Sequence, residues 1–128
     1  MMPGVATILI IDDEAVGLQI RKWVLEAAGY RVLTAEDGRT GLRIFGGEAV
    51  DAVVLDYNMP EMNGGEVALA MRRVKPQIPI MLLSAYLNMP DEVIRLVDRF
   101  LPKGGGPRPL LRRLAELVAP YPEPAETV

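Results

Sequence analysis

Short apolar runs that stop at a polar residue recur along this chain, and they constrain its fold more than any other feature. The first run, residues 6–11, ends at Asp12, and a second of the same kind, residues 50–55, ends at Asp56. Such runs are typical of strands that are buried on both faces of a parallel sheet. Three further short segments predict the remaining strands: residues 30–34, 79–83 and 98–101.

Segments with helical features separate the predicted strands. The first, residues 14–28, has apolar residues at helical spacing and Gly29 at the C-cap position. Those apolar residues are Val16, Ile20, Trp23, Val24 and Ala27. Further helices are predicted at residues 38–46, 65–73 and 91–97, and a last one follows Pro107 with Leu110, Leu111, Leu114, Leu117 and Val118 along one side.

Alternating strands and helices predict an α/β fold, with a parallel sheet covered by about five helices on both faces. Right-handed crossovers leave few topologies for five strands, and the commonest is the doubly wound order 2-1-3-4-5. In that order strands 1 and 3 are neighbours, and ligands bind at the carboxyl ends of the strands. Residues 1–119 are predicted to form this one domain, and the proline-rich acidic residues 120–128 a flexible tail.

Polar residues with complementary chemistry follow four of the predicted strands. Asp12 and Asp13 follow strand 1, Asp56 follows strand 3, Ser84 follows strand 4 and Lys103 follows strand 5. In the predicted order all of them lie at the carboxyl edge of the sheet, where three carboxylates converge. Taken singly, an acid pair or a serine at a strand end is usually ordinary turn or N-cap chemistry. The signal lies in their occurrence together.

Three neighbouring carboxylates repel one another and raise each other's pKa, and a divalent cation relieves this repulsion. An oxygen-only site suits Mg²⁺, and Asp12, Asp13 and Asp56 with the backbone carbonyl of Asn58 are its predicted ligands. Asp56 is the predicted nucleophile of a phosphoryl transfer. Lys103 would pair with one phosphoryl oxygen, and the Ser84 hydroxyl would donate to another.

Absent residue types exclude several classes of function. The chain has no cysteine and no histidine, so it has neither a thiolate nor an imidazole ligand, and any phosphohistidine belongs to a partner. A net charge of −3 gives no reason to expect nucleic-acid binding. No apolar run approaches the roughly 20 residues of a membrane span, and no signal peptide is evident. We therefore expect a cytoplasmic protein that does not bind membranes.

Four segments together resemble the receiver domain of bacterial two-component response regulators, the chemotaxis-regulator-like domain. They are IIDDE at 10–14, VVLDYNMPEMNGGE at 53–66, LLSAY at 82–86 and FLPKG at 100–104. The resemblance extends from about residue 6 to residue 118 and implies a flavodoxin-like fold.

The resemblance also implies a role for each site residue. Asp56 would be the phosphoacceptor, and Asp12 and Asp13 the pair that binds Mg²⁺. Ser84 would be the switch hydroxyl, and Lys103 the lysine that pairs with the phosphoryl group. Phe100 would be the aromatic residue that changes rotamer, although an ordinary core aromatic explains it equally well. The phosphoryl group would come from a sensor histidine kinase or a histidine phosphotransfer protein, and the domain would hydrolyse its acyl phosphate slowly.

Two departures from the family pattern stand out. Gly104 takes the place of the usual proline after the lysine. A cis bond there would cost about 2.5–4 kcal/mol, so we expect a trans bond and an altered loop. The span between Ser84 and Lys103 is about one helical turn short and contains Pro90, which predicts a trimmed or shifted fourth helix.

The leading hypothesis is a stand-alone phosphorylation switch or relay protein that acts on an unknown downstream partner. The alternative is a degenerate receiver that docks proteins without being phosphorylated. An aspartyl-nucleophile phosphatase of the haloacid dehalogenase type is disfavoured, because Asp56-Tyr57-Asn58 lacks the second aspartate that would serve as general acid.

Overall fold

The computed structural model describes residues 4–86 and 88–118, so the predicted tail at 120–128 lies outside the described residues. Strands and helices alternate along this part of the chain. The strands are β1 (Thr7–Ile11), β2 (Arg31–Ala35), β3 (Ala52–Asp56), β4 (Ile80–Ser84) and β5 (Arg99–Pro102). The helices are α1 (Ala15–Ala27), α2 (Gly38–Gly47), α3 (Gly64–Val74), α4 (Asp91–Ile94) and α5 (Pro107–Val118).

The five strands form one parallel sheet in the order β2-β1-β3-β4-β5, which confirms the predicted doubly wound topology. Every residue of β1, β3 and β4 is buried, as expected for strands that are covered on both faces. In register, Ile11 pairs with Leu55 and Asp56 pairs with Leu83, so β1, β3 and β4 end at nearly the same level. The residues that follow them therefore share one edge of the sheet.

Each face of the sheet has its own apolar core. On one face α2 and α3 contribute Phe45 and Met71, which pack in one cluster with Leu55 of β3. On the other face Leu25 of α1 and Leu114 of α5 belong to the second cluster. These two cores hold the central strands rigidly, because close-packed interiors leave little room for movement. None of the helices in the described part of the chain is long and apolar enough to span a membrane.

The apolar residues at helical spacing in α1 do not mark the face that packs on the sheet, although Val24 among them packs against the second core cluster. Val16 is 75% exposed, Ile20 is 50% exposed and Trp23 is 62% exposed, whereas Leu18 and Leu25 are buried. The helix therefore has two sets of apolar residues at helical spacing, and the smaller set, Leu18 and Leu25, faces the sheet. In this orientation α1 also places Arg21, which lies between the two leucines, against Asp12 at the end of β1.

The fourth helix is short, as the sequence predicts. It comprises only Asp91–Ile94, and the predicted extension to residue 97 is not helical. Arg72 of α3 holds the chain that follows, since its Nε donates to the Leu96 carbonyl at 2.9 Å and its Nη2 to Asp98 Oδ2 at 2.8 Å. The same Asp98 oxygen accepts the backbone N–H of Ile80 at 2.8 Å. One arginine and one aspartate thus connect α3 and β4 with the start of β5.

Candidate functional site

The three aspartates predicted to converge do lie together at the carboxyl edge of the sheet. Asp12 and Asp56 are buried and Asp13 is exposed, and one carboxylate oxygen of each lies within 4.8 Å of the others. The fold causes this proximity, because β1 and β3 are adjacent strands that end side by side. The cluster is open to solvent on the Asp13 side and closed beneath by the sheet.

Asp56 is a buried carboxylate with an unsatisfied oxygen. Among the described residues no group donates a hydrogen bond to its Oδ2, although Lys103 Nζ lies 3.2 Å away, at ion-pair distance without hydrogen-bond geometry. Burial first, and the neighbouring charge of Asp12 second, raise the pKa of Asp56 to about 6, against the opposing influence of Lys103. An acceptor in this condition is suited to bind a cation or to attack an electrophile.

Lys103 reaches the cluster despite the glycine that follows it. Its ammonium lies 2.8 Å from Glu14 Oε1, 3.2 Å from Asp56 Oδ2 and 3.4 Å from Asp12 Oδ1. Burial alone would lower the pKa of Lys103, but the close ion pair with Glu14 and the charges of Asp12 and Asp56 raise it above its ordinary value. Every peptide bond in the described residues is trans, including the one after Lys103, as expected for Lys103-Gly104.

Asp12 is held from both sides. Its Oδ1 accepts the backbone N–H of Glu14 at 2.9 Å, and its Oδ2 accepts Arg21 Nη1 at 2.6 Å. Arg21 belongs to α1 and was not among the predicted site residues. The sequence feature that could have identified Arg21 is its position on the same helical face as Leu18 and Leu25, which the structure buries. The more prominent apolar spacing of Val16 and Ile20 drew attention to a different face.

Ser84 is fully buried at the end of β4, and its hydroxyl oxygen accepts the backbone N–H of Tyr86 at 3.0 Å. Its carbonyl accepts the backbone N–H of Lys103 at 2.8 Å, which ties the ends of β4 and β5 together. A cleft of about 220 Å³ opens beside these residues. It is lined by Asp13, Glu14, Asp56, Asn58, Ala85, Tyr86 and Lys103.

The model of the response regulator receiver domain family matches residues 8–115, which is most of the chain. The chain belongs to this family. It is a receiver domain of two-component signalling, and the match does not favour a docking module that works without phosphorylation.

Named relatives and a solved structure agree with this assignment. The transcriptional regulatory protein GlrR of Escherichia coli is 38% identical over 88 residues, covering 69% of this chain and 20% of that protein. The alkaline phosphatase synthesis transcriptional regulatory protein PhoP of Bacillus subtilis is 34% identical over 125 residues, covering 91% of this chain and 52% of that protein. The chain thus spans about half, or less, of these curated relatives.

The crystal structure of the response regulator TrrA from Thermotoga maritima, in complex with Mg²⁺-BeF, superimposes with a TM-score of 0.84. The two sequences are 32% identical, and the match covers 88% of this chain and 99% of that one.

Phe100 lies in β5 of the receiver domain, away from the acidic cluster. It is half-buried, pairs in register with Leu82 and packs against the core cluster formed by α2 and α3. This placement suits an ordinary core aromatic as well as a side chain that changes rotamer, so its switch role stays a prediction. The role of the Asn58 carbonyl as a metal ligand also stays a prediction, although Asn58 lines the cleft beside the aspartates.

Proposed function

We propose that this receiver domain is a phosphorylation switch whose phosphoacceptor is Asp56. The observation that carries the proposal is the state of this carboxylate, which is buried, unsatisfied at Oδ2 and flanked by two further acids and a lysine. A structural aspartate at a strand end would be expected to cap a turn or a helix instead. The donor of the phosphoryl group would be a phosphohistidine on a partner, since the chain itself contains no histidine.

In the proposed transfer an oxygen of the ionised Asp56 carboxylate attacks phosphorus. The new O–P bond forms as the bond between phosphorus and the partner's imidazole nitrogen breaks, and the electron pair of that bond remains on the nitrogen. The reaction requires the carboxylate form, and a pKa of about 6 leaves Asp56 mostly ionised at neutral pH. Hydrolysis of the same acyl phosphate, slow in this family, would return the switch to its resting state.

The donor set of the site fits Mg²⁺. Asp12, Asp13 and Asp56 offer carboxylate oxygens within 4.8 Å of one another, and Asn58 lines the same cleft with a carbonyl to offer. When bound, the cation would offset the repulsion among the acids and the charge of the phosphoryl oxygens. The proposal is supported by Asp56 Oδ2, which accepts no hydrogen bond from the described residues and faces only the Lys103 ammonium at 3.2 Å.

Lys103 and Ser84 are proposed to respond to the new charge. Phosphorylation adds about −1.5 to −2 charges, which would draw the Lys103 ammonium away from Glu14 and Asp12. The Ser84 hydroxyl, which now accepts from the Tyr86 N–H, can rotate to donate to a phosphoryl oxygen. Ser84 ends β4 and Lys103 directly follows β5, so their movement would displace the loops that follow, and Phe100 on β5 would repack with them.

The proposed partners are a sensor histidine kinase or a histidine phosphotransfer protein upstream and an unidentified protein downstream. The relatives named above are transcriptional regulators about twice as long or longer, so we leave the chemistry of the downstream partner open. We propose a cytoplasmic location, where such donors act.

Intact mass after incubation with acetyl phosphate and Mg²⁺ tests the proposal. We expect the wild type to gain one phosphoryl group and Asp56→Asn to gain none. Asp91→Asn removes an exposed acid from the first turn of α4 and serves as the matched control, which should be labelled like the wild type. Equal labelling of Asp56→Asn, or no labelling of the wild type while Mg²⁺ still binds, would refute the assignment.

A further inference from the structure

A permanent cation lies inside the acidic cluster in addition to Lys103. Arg21 Nη1 is 2.6 Å from Asp12 Oδ2, and the pair is withdrawn from solvent, with 14% of the arginine side chain and 2% of the aspartate side chain exposed. Asp12 therefore has a positive partner before any metal binds. The proposed function makes no use of this arginine.

The helix is shaped to hold the guanidinium in this place. Gly17 lies one turn before Arg21, and a Cβ added there would be 3.1 Å from Nη1 and 3.8 Å from Cζ of the arginine. Any larger residue at position 17 would press on the guanidinium. Two cavities, of about 240 and 130 Å³, each border both Arg21 and Lys103, so the arginine lies beside the loop that follows the lysine.

We propose that Arg21 is a built-in counter-ion that competes with Mg²⁺ for the charge of Asp12. It would lower the affinity of the site for the cation and stabilise the fold when no cation is bound. This inference rests on the proposed metal site, and it adds a residue that sets how strongly that site binds.

Arg21 could affect Mg²⁺ affinity in two opposite ways: its charge repels a bound cation, and its hydrogen bond positions the Asp12 carboxylate that would bind the cation. A cation bound by Asp12 shares a carboxylate with the guanidinium, and the two positive charges repel each other where solvent screens them weakly. Loss of Arg21 would also loosen Asp12, but its Oδ1 keeps the Glu14 N–H and the Lys103 ammonium. The repulsion should therefore outweigh the orientation, and removing the charge should tighten Mg²⁺ binding.

Three substitutions separate charge from hydrogen bonding. Arg21→Met removes both, Arg21→Gln keeps a donor without the charge, and Arg21→Lys keeps the charge. By calorimetric titration in one buffer we expect the methionine and glutamine variants to bind Mg²⁺ about tenfold more tightly than the wild type, and the lysine variant to stay within about twofold. Lys22→Met is the matched control, because Lys22 is the next residue and pairs with Glu26 at the surface; its Mg²⁺ affinity should be unchanged.

Urea denaturation in EDTA provides the second readout. Arg21→Met should lower the unfolding midpoint clearly more than Lys22→Met, because it leaves Asp12 buried beside two other acids. If Arg21→Met does not fold, Arg21→Gln carries the affinity test alone.

An orienting role would give the opposite pattern of affinities. Weaker binding by Arg21→Met with wild-type binding by Arg21→Gln, or unchanged affinity in all variants, would overturn the inference while leaving the metal site intact. If neither the wild type nor any Arg21 variant binds Mg²⁺, the proposed metal site itself fails, and the inference fails with it. Binding by Arg21→Met but not by the wild type would support the inference in its strongest form.

Discussion

Two loops deliver the two central groups of the site, and they are built in different ways. After Asp56 the backbone is fixed, because the Tyr57 N–H donates to the Leu83 carbonyl and the Gly64 N–H donates to the Tyr57 carbonyl. Asn63 and Glu66 then close a capping box at the start of α3. The carboxylate is thus positioned mainly by backbone hydrogen bonds.

The loop after Lys103 has little of this support. Three glycines follow, and the contact from Gly105 N–H to the Pro102 carbonyl is long, at 3.4 Å. The ammonium is positioned by carboxylates instead, at 2.8 Å from Glu14 and 3.2 Å from Asp56. The comparison shows that the acceptor is fixed by the fold, whereas the lysine is held by charges that a phosphoryl group can redirect.

The most damaging way to disturb the fixed loop is Gly64→Ala. A Cβ at this position would be 2.6 Å from the Asp56 carbonyl oxygen and 2.8 Å from Tyr57 Cα, and both are backbone atoms that cannot move aside cheaply. We expect a loss of about 2–4 kcal/mol in the free energy of unfolding, measured by urea denaturation. Gly46→Ala, in a helix with no atom within 4 Å of the new Cβ, is the control and should not destabilise. Equal effects of the two substitutions would show that the loop after Asp56 is not rigid.

Asp56 should make the stability of the metal-free protein depend on pH. Its pKa is raised from 3.8 to about 6, so the folded site binds the proton more tightly than the unfolded chain does. Protonation of Asp56 therefore stabilises the folded protein. This contribution to the free energy of unfolding, about 1–3 kcal/mol, is fully present below about pH 4 and is lost as the pH rises through 6. Asp56→Asn should remove this dependence, so the stability of the wild type relative to the variant should fall between pH 4 and pH 7.5 in EDTA. A difference that does not change with pH would mean that the carboxylate is not perturbed by its burial.

The smallest effects are expected in the glycine loop after Lys103. A Cβ added at Gly104 would have no atom within 4 Å, and φ there is not positive. Gly104→Ala should therefore raise the free energy of unfolding by about 0.4–1 kcal/mol, because alanine leaves the unfolded chain less conformational freedom than glycine. Gly106 has φ 81°, so Gly106→Ala should destabilise by about 1 kcal/mol. Thermal unfolding of the two variants side by side checks the prediction. If both substitutions destabilise alike, the loop is more tightly constrained than its contacts indicate.

The sequence was sufficient for the features that follow from strand ends. The convergence of Asp12, Asp13 and Asp56 depends on the strand order and on which residue follows each strand. An apolar run that ends at an aspartate shows both the strand and the residue that follows it. The trans bond after Lys103 was also predictable, because a cis bond before a residue other than proline is costly.

Contacts between elements were harder to predict. Periodicity could not choose between the stripe of Val16, Ile20 and Trp23 and the stripe of Leu18 and Leu25, because both have helical spacing. The contact of Arg21 with Asp12 joins two residues that come together only after α1 packs on the sheet. The ion pair between Glu14 and Lys103 likewise forms only when the chain folds.

Reductive trapping tests the central claim most directly, because it identifies the phosphorylated residue and not only the fact of phosphorylation. The wild type would be incubated with acetyl phosphate and Mg²⁺, reduced with borohydride and mapped by peptide mass spectrometry, which detects an acyl phosphate as homoserine. The account predicts homoserine at position 56 and at no other aspartate. Homoserine at Asp12 or Asp13, or at no position in a protein that binds Mg²⁺, would contradict it.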